Sequence, residues 1–532
     1  MKKPALIFAA GLLVVVLSAL LPVSGRVTAV EQAPRFGGVL RVRAMICPFN
    51  PVFDPVSEGH MFVVEQIYDG LVRFDENFNI IPAVAEYWKI SEDGRKIIFY
   101  LRQGVKFHNG RELTAEDVKF SLERVIKKTS QGRLYPYFAG KVVGADDFIG
   151  GLATDISGLK VIDEYTLEIQ WTRPYVSGLY LLAMSYCKIL PKDLLLSQGK
   201  RFFQKPVGTG PFKFSYWLRS PRLDVLGVRL ERNSGYYGKR PYIDAIDYSP
   251  HYSDDQVANG LIHIVPVVSE RQLKGGLVIL TNNSLRALYL AFSCDLPPLD
   301  QPEIRRAIGL GIDKKKLSEI VSSPLSALDP LDSYFPPVLP GFYPADADFE
   351  YDPEKARLLL SRKLQQEDGR RLSLDLVFTG AKTGLTEALG RELHRQLIIL
   401  GIDLGVHYLK DEKDTRALKS PYLKLIDFTL DFPDPENVAE SLFYSASATN
   451  QFGCRYVNSR LDELLGQAAA EPGWEKRLYT FRSIETILKN DVPAVPLFSE
   501  RIRIAVLPKV KGIKPPAMGF SFLNTREIWI ER

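Results

Sequence analysis

Leu101-Arg102-Gln103-Gly104-Val105-Lys106-Phe107-His108-Asn109-Gly110 joins a strand-rich block to a helix and sets the pattern of the chain around it. The run that leads into it, Lys96–Leu101, is β-prone; Val105-Lys106-Phe107 reads as a second short strand, and Asn109-Gly110 is a strong turn signal beside it. Thr114 then precedes Ala115-Glu116-Asp117, a start resembling a capping box, and Val118, Leu122 and Val125 supply an apolar stripe at helical spacing. Upstream, a Gly37-Gly38 break opens onto the strand-like run Val39-Leu40-Arg41-Val42, and Phe62, Val63, Ile67 and Leu71 recur at helical spacing over 60–72. Downstream, Asp352-Pro353 predicts an N-cap and first-turn proline for a helix over Glu354–Leu360. Leu389, Leu393, Leu397 and Leu400 form another stripe, closed by Gly401, and Ile402–Leu409 reads as a strand. Helix followed by strand, repeated after residue 300, predicts an α/β lobe.

The chain has 532 residues, 46% hydrophobic and 25% charged, which is ordinary globular composition. At about 150 residues per domain the length predicts about three domains or lobes. The formal charge is +5, from 68 basic and 63 acidic residues. The charges are interspersed, and the densest run, Lys314-Lys315-Lys316, reads as a solvated helix face; no nucleic-acid partner is expected. At the N-terminus, Lys2 and Lys3 precede the apolar stretch Ala5–Leu21, with small residues at Val23-Ser24-Gly25 and Val27-Thr28-Ala29. Residues 1–29 read as a secretory signal, cleaved after Gly25 or Ala29; a retained anchor helix is the second reading. No cysteine lies near either position for a lipid anchor. The four cysteines, Cys47, Cys187, Cys294 and Cys454, are widely spaced, and buried free thiols are favoured over disulfides. The six histidines are scattered without an H-x-x-x-H pair, so no metal or cofactor is expected.

Enzyme signals are weak. Ser197-Gln198-Gly199-Lys200 and Lys382-Thr383-Gly384 match the S-x-x-K and K-T-G elements of serine acyl enzymes, but the middle S-x-N element is missing between them. Gly208-Thr209-Gly210-Pro211 reads as a tight structural turn. The most informative constellation is Phe428-Thr429-Leu430-Asp431-Phe432-Pro433-Asp434-Pro435, which follows the apolar pair Leu425-Ile426. A strand here places Asp431 at its end. Two carboxylates among aromatics and prolines suit capture of an ammonium group, since a partly desolvated carboxylate attracts a cation strongly. They equally suit two turn caps, which composition alone favours.

Several segments, in collinear order over nearly all of the chain beyond the signal, resemble the extracytoplasmic solute-binding family 5, the oligopeptide-, dipeptide- and nickel-binding proteins of ABC importers. They are Gly37–Val42, Ile67-Tyr68-Asp69-Gly70-Leu71-Val72-Arg73-Phe74-Asp75, Ile81–Trp88, Ser91–Gly94, Leu101–Gly110 through Phe120–Arg124, Pro206-Val207-Gly208-Thr209-Gly210-Pro211-Phe212, Tyr236–Asp244 and Tyr351–Ala356. The resemblance implies a hinged, two-lobed α/β periplasmic-binding-protein fold of class II type with an inserted subdomain. Lobe I would comprise 36–71, 188–276 and 492–532, the inserted subdomain 72–187 and lobe II 277–491, with ligand enclosed between the lobes. It implies an exported, periplasmic, monomeric binder, not an enzyme, that delivers peptides or peptide-like solutes to an inner-membrane permease with ATPase subunits. Asp431 matches the aspartate that holds a ligand's α-ammonium in peptide-binding members, and Phe428 stands where tryptophan is common, with Thr429 and Leu430 between them. Tyr135, Tyr137, Tyr186 and Asn450 fall in regions that line the cleft in relatives. A nickel–metallophore or oligosaccharide binder, or a non-transporting sensor, is the alternative. The segment Ile246–Pro266 is shorter than usual, with Asn259-Gly260-Leu261-Ile262-His263 in place of a longer helix.

Overall fold

The strand predicted over Lys96–Leu101 is present with those bounds, and its alternating burial places Ile97, Phe99 and Leu101 in a core. The structure is a computed structural model, described here over residues 33–44, 49–57, 60–129, 138, 140–265, 276–322, 327–339, 341–342, 349–364 and 371–531. The proposed signal, residues 1–29, lies outside them, as do Cys47, Tyr135 and Tyr137. Among the described residues no helix is long and apolar enough to cross a membrane.

One mixed sheet runs through residues 35–532 in the order Ile402–Leu409, Leu372–Thr379, Tyr422–Thr429, Val278–Phe292, Ala494–Val506, Ile264–Val265, Val39–Arg43, Ala245–Ser249, Val225–Arg232 and Phe212–Arg219. Ala327–Pro330 pairs with Ala494–Val506 off this path. The two long central strands carry the chain from one half to the other. Val278–Asn283 pairs with Arg501–Val506, and Ala287–Ala291 pairs with Ala494–Ser499. The register shifts between Asn283 and Ala287, an irregularity that bends a strand and interrupts its ladder. Tyr422–Thr429 pairs with Arg286–Phe292, from within that break onward, and Ile264–Val265 pairs only on the near side. A separate four-stranded antiparallel sheet, Ala85–Ile90, Lys96–Leu101, Thr166–Gln170 and Leu159–Asp163, packs beneath the helix Ala115–Thr129.

Apolar burial follows the same division. One core gathers around Val39–Arg43, with Leu40, Val42, Phe62, Leu230 and Ile246. A second belongs to the four-stranded sheet and includes Phe99, Val118, Leu122, Leu167 and Trp171. Two more cover opposite faces of the far half of the large sheet. One holds Leu376, Leu393 and Leu397, the other Tyr289, Phe443 and Phe481. The two-lobed α/β fold with an insertion is therefore present.

Most predicted elements form. Leu389, Leu393 and Leu397 of the stripe lie on the helix Gly384–Ile398 and Leu400 in the turn after it, Gly401 takes φ +82°, and Ile402–Leu409 is a strand. The helix after Asp352 runs Pro353–Leu364, with the Asp352 carboxylate accepting from the Lys355 N–H. Three readings differ. Val105–Phe107 forms no strand: the turn at Asn109-Gly110 folds it back only as far as a single bridge between Lys106 and Glu112. The helix Met61–Ile67 ends before Leu71, because Ile189 N–H bonds the Asp69 carbonyl and Val84 N–H that of Gly70, drawing the chain into extended conformation. Lys314 is no part of a solvated face. It is 5% exposed, donates to the Leu331 carbonyl and the Asp332 carboxylate at 2.7 and 2.8 Å, and lies over the Phe349 ring. Cys187, Cys294 and Cys454 are free thiols.

Candidate functional site

The collinear motifs meet at a junction. Gly210 N–H donates to the Ile67 carbonyl and His108 N–H to the Gly208 carbonyl, each at 2.8 Å. The His108 ring spans the same loop: Nδ1 accepts from Gly208 N–H at 3.2 Å, which leaves the proton on Nε2, 3.0 Å from the Gly210 carbonyl. Asn233 donates to that carbonyl too, and the Tyr237 hydroxyl donates to Asp69. A methyl group on Gly208 or Gly210 would drive into the backbone of Gln66 and Ile67, so glycine is required there for close approach. Burial pushes the His108 pKa down to about 4, holding the ring neutral in this role. The segments that identify the chain are thus a structural weld between the core around Val39–Arg43 and the inserted sheet.

The Phe428–Pro435 constellation is elsewhere, at the end of the strand Tyr422–Thr429, on the far side of the register break. Leu430 N–H donates to the Leu285 carbonyl, beside the break itself. The two aspartates then part company. Asp434 is fully buried and caps the helix Pro435–Phe443, accepting from Glu436 N–H at 2.8 Å, with Pro435 at the first helical position. It also receives both terminal nitrogens of Arg477, which is 1% exposed. Arg477 donates further to Glu436 and Ser177 at 2.8 and 2.7 Å and to the Ala468 carbonyl at 3.0 Å. Burial works against the guanidinium's charge, and Asp434 and Glu436 outweigh it, holding its pKa above the ordinary value. Burial raises the Glu436 pKa, against the opposing pull of Arg477.

Asp431 is different: partly exposed just past the strand end, its backbone N–H fixed by the Asn437 side-chain oxygen at 2.8 Å. Between the two, Phe432 is fully buried in the core of the inserted sheet, so the loop is pinned from both sides. Phe428 is half-buried against the helical core of the far half, Thr429 is exposed and Leu430 is buried.

Of the remaining candidates, Tyr186 and Asn450 lie among the described residues, and both are buried. Tyr186 is 5% exposed within the core of the inserted sheet, its ring edge-on to Phe138. Asn450 is 1% exposed, and its amide ties a loop: Nδ2 donates to the Tyr444 and Tyr456 carbonyls and Oδ1 accepts from Tyr456 N–H. Tyr186 is packed in an apolar core, and the Asn450 amide, bonded to backbone groups on both sides, is a loop staple. Of the acyl-enzyme elements, Ser197 donates to the Leu194 carbonyl of its own helix and Lys382 pairs with Glu387 at 2.6 Å. Sequence reasoning missed Arg477 and Ser177, whose partners lie about 40 and 260 or more positions away.

The profile of the family described as bacterial extracellular solute-binding proteins, family 5, middle, matches residues 79–450, more than half of the chain. The chain is 27% identical to the dipeptide-binding protein of Escherichia coli K12, covering 88% of this chain and 90% of that one. It is 25% identical to heme-binding protein A of Haemophilus influenzae, covering 89% and 88%. Among solved structures it superposes on HbpA2 from Haemophilus parasuis with a TM-score of 0.80 at 21% identity, over 93% of this chain and all of that one. The chain belongs to the bacterial extracellular solute-binding proteins of family 5.

Proposed function

We propose that this solute-binding protein captures peptides or peptide-like solutes by their free α-ammonium group, with Asp431 as the anchor, and delivers them to an ABC permease with its ATPase subunits. The observation that carries this reading is the division of labour between two neighbouring aspartates. Asp434 is fully buried and holds Arg477, while Asp431 keeps partial exposure at a strand end. A carboxylate there, with Phe428 three residues earlier on the strand, suits an ammonium in partly desolvated surroundings. Main-chain hydrogen bonding along the ligand would tolerate many side chains. Heme, with two carboxylates and no ammonium, has no use for an acidic anchor, so Asp431 favours the peptide reading suggested by the Escherichia coli relative. We read lobe I as 36–71, 188–276 and 492–532, the insertion as 72–187 and lobe II as 277–491, hinged at the register break of the long strands. We read the protein as exported to the periplasm and monomeric. Calorimetric titration with a dipeptide series and its N-acetylated counterparts tests the anchor; equal affinity for both would refute it.

A further inference from the structure

We propose that a second ligand site, separate from the capture cleft, lies between the lobe around Val39–Arg43 and the helix Ala115–Thr129 and takes a small amphiphilic anion. A cavity of about 690 Å³ opens between the loop Val52–Ser57, the helix Ala115–Thr129 and the segment Leu195–Gln204. That volume lies within the range of small-molecule sites, and is far larger than a bare inorganic anion fills. Every residue lining it precedes residue 205, so the cavity has no wall from the far half of the large sheet or from the Asp431 loop.

Its lining has two characters. Val52, Phe120 and Leu195 provide an apolar floor. Arg124 forms one wall, its guanidinium 4.9 Å above the Phe203 ring and paired with Asp54, which leaves that wall near neutrality. The rim is cationic. Lys128, Lys200 and Arg201 are all exposed, and none of them pairs with a carboxylate among the described residues. The lining therefore sets four cations against one carboxylate over an apolar base. A fold gains nothing by gathering unpaired like charges, since they repel one another; an anion at the mouth relieves that repulsion while an apolar body fills the floor. The ligand class that matches both halves carries a carboxylate, sulfonate or phosphate on a hydrocarbon of several carbons. Lys200, which the sequence offers as half of an S-x-x-K pair, acts here as a rim charge.

The probe is 8-anilinonaphthalene-1-sulfonate, titrated by fluorescence into the residue 30–532 protein. The expected result is one saturable site per chain that survives Asp431→Ala. It weakens by at least about tenfold in Lys128→Glu/Lys200→Glu/Arg201→Glu, and also with rising salt. Decanoate should displace the probe and inorganic phosphate should not. The three residues are exposed, so the triple variant should melt like wild type; the single variant Arg201→Glu gives the same test in a smaller step. Unchanged affinity in both variants, loss of the site in Asp431→Ala, or displacement by phosphate alone would each overturn the proposal.

Discussion

At the scale of single residues, two aspartates three positions apart are expected to fail in opposite ways. Asp434→Ala leaves Arg477 buried beside Glu436 with its main partner gone. Removing one member of such a buried pair typically costs about 3–5 kcal/mol, so urea or thermal denaturation should show a large loss of stability. Asp431→Ala removes a partly exposed carboxylate and leaves its backbone N–H bond to Asn437 in place. Its melting temperature should stay near wild type, while affinity for free-amine peptides falls by about tenfold to a hundredfold, the worth of a charge-assisted hydrogen bond. The sequence shows both carboxylates but not this difference. Asp-Pro at 434–435 signals a helix cap, whereas the buried ion pair of Asp434 is made with Arg477, a residue that only the folded chain brings near.

At the scale of elements, the junction of Ile67, His108 and Gly208–Gly210 depends on a neutral imidazole and absent side chains. Gly208→Ala should destabilise by about 1–3 kcal/mol through overpacking against the Ile67 backbone, measurable by chemical denaturation. His108 and His263 are both pushed down to about 4 by burial, and the His263 Nδ1 accepts from the Arg41 N–H at 2.9 Å. Protonating either ring at Nδ1 would set two donors against each other. A depressed histidine contributes stability that is full above the unfolded value of about 6.5 and is lost as pH falls towards the folded value. Between those limits each histidine should make stability fall by up to about 1.4 kcal/mol per pH unit. Denaturation midpoints from pH 7 to 4 should therefore drop less steeply for His108→Gln than for wild type; identical slopes would contradict the assignment. Elements with strong local signals, such as Lys96–Leu101 and Ile402–Leu409, are legible in the sequence because period and turn chemistry agree. The end of Met61–Ile67 is not, because long-range bonds to Ile189 and Val84 set it.

At the scale of the whole molecule, two halves share a pair of long strands whose register breaks between Asn283 and Ala287. Arg286 lies within that break and bridges the Asp427 and Glu500 carboxylates at 2.7 and 3.0 Å, with Ser284 donating to Glu500. If the lobes close at that break, where the ladder is interrupted, Arg286→Ala should change the compaction that small-angle X-ray scattering records on adding peptide more than it changes the fold. The order of the motifs along the chain reveals the family, but they specify the weld between strand and insertion, not the capture site, which is why fold was more legible than ligand. The account rests on Asp431 as an ammonium anchor. The measurement that bears on it most directly is thermal unfolding of the residue 30–532 protein with di- to pentapeptides, comparing wild type and Asp431→Ala. A ligand that binds only the native state must raise the melting temperature by mass action. Stabilisation by free-amine peptides that vanishes on N-acetylation and in Asp431→Ala is the predicted result. Stabilisation that persists in both, or no stabilisation of a well-folded wild type by any peptide, would contradict it.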